Sequence, residues 1–140
     1  MSRNHLLSIA GLASATLAMA GAAVAQEEAQ ARSSIVAACT AASPARGAIF
    51  SGPVLQVIDE RALCVAEGAA PDAWVQVRLA DVRRGEGRGA LMAAAFAKQV
   101  ICTADRSDGS GVVGRCLYDG APIGVLVRGE TARAQAIDWR

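Results

Sequence analysis

Apolar and β-branched residues fall in short runs along this chain, divided by Gly, Pro, Asp and Ser. The pattern predicts strands with one helix among them. Ala48–Ile58, with Val54, Val57 and Ile58, predicts a first strand, and Leu63–Ala66 a second after a tight turn at Asp59–Ala62. Gly68–Asp72 has turn chemistry. Trp74–Ala80 sets Trp, Gln and Arg against Val, Val and Leu, the alternation of a half-buried strand. A glycine-rich loop, Gly85–Gly89, precedes Ala90–Val100, where Leu91, Met92 and Phe96 recur at helical spacing. Val100–Ala104 and Val112–Leu117 read as strands around a turn at Asp105–Gly111. Ile123–Val127 fits the start of a short helix or a strand, and the alternation in Ala132–Trp139 suggests a last strand. No internal repeat is visible.

The first 25 residues do not fit that pattern. Arg3, the apolar run Leu6–Ala20 and the small residues Ala23-Val24-Ala25 have the layout of a secretory signal peptide with its cleavage site. A membrane anchor is the competing reading, but the run is short for a span and is broken by Ser8, Gly11, Ser14 and Thr16. Three parts are therefore expected: a signal over 1–25, a flexible Ala/Ser/Glu-rich lead-in over 26–45 held in part at Cys39, and one small domain over 46–140. The expected location is periplasmic or secreted, with no stable membrane insertion once the signal is removed.

Export changes the reading of the cysteines. Cys39, Cys64, Cys102 and Cys116 form an even set in a small exported domain, which points to two disulfides. A four-thiolate zinc site is the weaker reading, because no Cys-x-x-Cys pair occurs. Cys102 and Cys116 flank the expected hairpin and are paired on that ground, leaving Cys39 for Cys64. The net charge of +1 falls to zero without Arg3, so overall charge predicts neither a nucleic-acid nor a membrane partner. The only histidine, His5, lies in the signal, which excludes histidine-based catalysis in the exported chain. Trp74, Trp139, Phe50, Phe96 and Tyr118 are a thin aromatic set for stacking on single-stranded nucleic acid.

Three segments carry candidate chemistry: Asp59-Glu60-Arg61-Ala62, Val77-Arg78-Leu79-Ala80-Asp81-Val82-Arg83-Arg84-Gly85-Glu86, and Val113-Gly114-Arg115. In this order and spacing, over about residues 52–132, the chain resembles short exported bacterial members of the staphylococcal-nuclease (thermonuclease) family. The resemblance implies a mainly β domain with one helix: an OB-fold, a five-stranded small barrel of the staphylococcal-nuclease type. That family carries calcium on two aspartates and a main-chain carbonyl, a glutamate that acts on water, and two arginines that hold the phosphate. Arg78 and Arg115 match the arginines and Glu86 the glutamate, so these three are the candidate catalytic residues. Arg61 and Arg83 stand where the metal-binding aspartates would be.

That replacement decides the expected activity. Calcium takes hard oxygen ligands, and two Asp-to-Arg changes shift the site by about four charge units towards repelling a cation. Arginine does not deprotonate to relieve this. The expectation is therefore no metal site, calcium lost, no other cofactor, and a cleft in which Arg61, Arg78, Arg83 and Arg115 bind an anion such as a polyanion or nucleic-acid backbone, weakly. An active phosphodiesterase, with Asp59 or Asp81 recruiting a shifted cation, is the alternative, and a purely structural module is a second. Each residue also has a plain reading. Arg78 could be a solvated or cross-strand ion-pair residue, Glu86 a partner of Arg83 or Arg88, and Arg115 a bond at the end of a hairpin.

Overall fold

The computed structural model describes residues 36–137. The expected signal peptide, the lead-in up to residue 35 and the expected strand's last residues, Asp138 and Trp139, lie outside the described residues. Six strands and two α-helices follow one another as β1 (Ile49–Val57), β2 (Ala62–Ala66), β3 (Trp74–Leu79), α1 (Arg88–Ala95), β4 (Gln99–Ser107), β5 (Val112–Tyr118), β6 (Ala121–Pro122) and α2 (Ile123–Ile137). A single 3-10 turn, Pro71–Ala73, leads into β3.

The sheet order is β3-β2-β1-β4-β5-β6, and β3 also pairs with β5. That last pairing is parallel, Val77 with Val112 through Leu79 with Gly114, while the other pairings are antiparallel. Five strands therefore close into a small barrel with a helix between the third and fourth, as an OB-fold requires. Closure explains the strand patterns. β3 alternates half-buried and buried residues, with Val75, Val77 and Leu79 facing inward. Leu63 and Val65 of β2, Val54 and Val57 of β1 and Val100 of β4 fill the same interior, all without exposure. Leu91, Ala94 and Ala95 of α1 and Ile123 and Val127 of α2 join that core.

Both disulfides form as expected, Cys102 with Cys116 and Cys39 with Cys64. Cys102 and Cys116 are direct cross-strand partners on β4 and β5, with Cα atoms 4.1 Å apart. The other bridge joins β2 to residues 36–45. This segment is irregular but well bonded: Thr40 N–H donates to Pro71 O at 2.9 Å and Ala41 N–H to Trp74 O at 3.1 Å. Gln56 accepts from Ala38 N–H at 2.7 Å and donates to Val36 O at 3.0 Å, and the Ser43 hydroxyl donates to Gly111 O at 2.8 Å.

The chain end differs from expectation. Residues 132–137 continue α2, a second helix, where a strand was expected. Ala, Arg and Gln are strong helix formers, and their alternation in Ala-Arg-Ala-Gln-Ala imitates a strand period without β-branched residues. The start of α2 is fixed by tertiary contact: an Asp81 carboxylate oxygen accepts the Gly124 N–H at 2.9 Å. α1 is also shorter than the expected Ala90–Val100. It ends at Ala95, and Ala97 then takes a positive φ of 62° before β4.

Candidate functional site

The turn between β1 and β2 is held by its own first acid. One Asp59 oxygen, Oδ1, accepts the N–H groups of Arg61 at 2.7 Å and Ala62 at 2.8 Å, which reverses the chain and sets the direction of Arg61. The other, Oδ2, lies 3.7 Å from Nη1 of Arg78. Arg78 stands on the outer side of β3, paired with Ala62 of β2 and Val113 of β5. Its Nε donates to Oδ2 of Asp108 at 3.4 Å. Asp108 is itself fixed, since its Oδ1 accepts from the N–H groups of Ser110 and Gly111 and from the Ser110 hydroxyl. Burial acts most strongly on Asp108 and raises its pKa. The amides of Gly111 and Ser110, the Ser110 hydroxyl and Arg78 together outweigh burial and bring the pKa below the ordinary carboxylate value.

Glu60 ties in a further loop. Its carboxylate accepts the Gly85 N–H at 2.9 Å, drawing the β3–α1 connection against the β1–β2 turn and placing Arg84 beside it. The result is a cleft of about 300 Å³ lined by Asp59, Glu60, Arg61, Arg78 and Arg84. Three guanidinium groups face two carboxylates there. Among the described residues, Arg61 and Arg84 make no ion pair, and the buried Nε of Arg61 has no hydrogen-bond partner.

The expected site residues divide on this geometry. Arg61 and Arg78 share the cleft. Arg83 is exposed outside it, and its neighbour Arg84 enters instead. Arg115 is exposed on β5 opposite Thr103. It lies two residues beyond Val113 and so on the same side of the sheet as Arg78, but it does not line the cleft. Glu86 is not brought to the arginines. It lines a groove of about 540 Å³ between the start of α1 and the second half of α2, from Glu130 on, and its Oε2 is buried without a partner. Among the described residues it pairs with neither Arg83 nor Arg88, and Arg88 donates instead to Val57 O at 3.0 Å. Arg84, Glu60 and Asp108 were not singled out as site residues. The signal for Asp108 is the turn run Asp108-Gly109-Ser110-Gly111, whose aspartate caps its own loop.

The chain matches no family model and no curated protein sequence. The closed barrel shows the fold and not a family.

Asp59 and Asp81, the alternative carriers of a cation, already have hydrogen-bonding partners. Asp59 is engaged by two amides and lies beside Arg78, and Asp81 receives the first turn of α2. Among the described residues no three His, Cys, Asp or Glu side chains cluster as a metal site would need. Guanidinium groups are donors suited to charge-assisted hydrogen bonds, and three of them line this cleft.

Proposed function

We propose that this chain is an exported OB-fold domain of thermonuclease-like descent that binds an anionic group through Arg61, Arg78 and Arg84 and does not carry out metal-dependent hydrolysis. The observation that carries this reading is the state of Arg61: a guanidinium beside a cleft, with a buried Nε that lacks a partner and no carboxylate paired to it among the described residues. Buried donors are normally satisfied; this Nε is covered, and an oxyanion in the cleft would meet Arg61 through the part of its guanidinium that lines the cleft. Arg84 adds a second guanidinium without an ion pair, and Arg78 a third whose position Asp59 and Asp108 fix. Arg83 and Arg115 add positive charge outside the cleft.

Two disulfides belong to an oxidising compartment outside the cytoplasm, and no described helix is long and apolar enough to cross a membrane. Together with the signal-like start, this supports a periplasmic or secreted location.

Calorimetric titration with pyrophosphate tests the reading. Binding is expected, weakening as salt is raised, and lost in the Arg61→Ala/Arg78→Ala double variant. Equal binding by that variant would refute the assignment, and no binding by the parent protein would leave the structural-module reading. DNA cleavage that appears with calcium and stops with a chelator would establish the phosphodiesterase reading instead.

A further inference from the structure

OB-folds hold extended ligands across the outer side of their second and third strands, between the β1–β2 and β4–β5 loops. In this chain that surface is occupied by the protein itself. β2 is buried on both sides: outward-facing Ala62 and Cys64 have no exposure, and Ala66 has 6%. Gln56, Cys64 and Gln76 form one cross-strand row over β1, β2 and β3. Residues 36–45 lie over this row as a strap, hydrogen-bonded to Gln56, disulfide-bonded to Cys64 and hydrogen-bonded through Ser43 to Gly111. The next row is Ala62, Arg78 and Val113. Successive rows on one face are about 7 Å apart, so the strap runs immediately beside the arginine cleft.

The β4–β5 loop closes the same surface. Asp108 holds Arg78, the Ser110 hydroxyl accepts from the Gln76 side chain at 3.2 Å, and Gly111 packs so closely that a Cβ there would sit 2.2 Å from Gln76 O. What stays open is the cleft of about 300 Å³ at the Arg61 end. That is near the lower bound, roughly 300 Å³, of small-molecule sites.

We propose that the cleft takes a compact anion or the terminal phosphate of a chain, and that the strap held by Cys39–Cys64 shuts out the interior of a polyanion. This rests on the anion-binding reading above. A phosphodiester within a strand needs an exit on both sides of the bound phosphate, and the strap with the Asp108–Gly111 loop blocks one of them. A terminal phosphate or free pyrophosphate needs a single entrance.

Three probes decide it: pyrophosphate, a linear single-stranded DNA with a 5′-phosphate, and a circular single-stranded DNA without ends. Each is titrated against the protein at fixed salt. Pyrophosphate and the linear DNA are expected to bind, and the circular DNA to bind at least about ten-fold more weakly per molecule than the linear. In the Cys39→Ser/Cys64→Ser variant the circular DNA is expected to approach the linear one. Circular DNA that binds the parent protein as tightly as linear DNA overturns the proposal while leaving anion binding intact. Failure of all three probes overturns the anion-binding reading and this proposal with it. If the serine variant does not fold, the comparison on the parent protein still decides.

Discussion

Replacing Cys39 and Cys64 by serine should loosen the strap before it loosens the barrel. The bridge closes a loop with a sequence separation of 25. Loop-closure entropy for that length is worth about 3.5 kcal/mol at 25 °C. The strap's own backbone bonds, Thr40 to Pro71 and Ala41 to Trp74, each contribute about 1 kcal/mol net. Fixing each strap residue costs roughly 1–2 kcal/mol of backbone entropy, so the bonds alone do not hold the segment. The barrel depends on it less, because its interior is filled from the strands and the two helices. The expected loss is therefore at most about 3.5 kcal/mol, a fall in Tm of up to roughly 15 °C for a domain of this size. Amide hydrogen exchange separates the two regions. Thr40 and Ala41 should lose protection to the level of a detached segment, while Val77 and Cys102 keep theirs. If Thr40 and Ala41 stay as protected as the ladder amides, the strap holds without its bridge and the reasoning fails.

Asp108→Asn should release the β4–β5 loop and remove an acid-sensitive part of the stability. The folded-state pKa of Asp108 lies below its unfolded value of 3.8, so its contribution is complete above that value and is lost as pH falls through the lower folded one. Acid titrations of parent and variant should converge at low pH; curves that stay parallel would contradict this. Gly124→Ala should destabilise by about 2–3 kcal/mol, since the new Cβ would stand 2.3 Å from Asp81 O at the start of α2. Chemical denaturation would read this, and an unchanged midpoint would mean that α2 is not seated on Asp81.

Much of the fold is legible in the residues, because each of β1 to β5 carries its own signal, while the two-residue β6 carries none. Trp74–Leu79 alternates cleanly, and a turn, shorter than expected at Asp108–Gly111 because β4 runs on to Ser107, separates two β-branched runs whose cysteines face each other. The end of α2 is not legible, because alternating Ala, Arg, Gln and Ile suits either period and the helix is started by a contact with Asp81, distant in sequence. The site divides in the same way. Arg61 and Arg78 come together because β2 and β3 pair directly, a short-range consequence of the hairpin. Arg84 replaces Arg83 because the loop after β3 bends to satisfy Glu60, and no periodicity encodes that hydrogen bond. Glu86 faces a groove lined by the part of the chain that continues α2 where a strand was expected, and a strand period in Ala132–Ile137 gives no sign of that groove.

The most direct test of anion binding is nitrogen-edited NMR of the arginine Nε–H groups during titration with pyrophosphate at low salt. Shifts concentrated at Arg61, Arg78 and Arg84, the three guanidinium groups that line the cleft, are predicted. Shifts spread evenly over surface arginines such as Arg106 and Arg133, with Arg61 unmoved, would contradict the account.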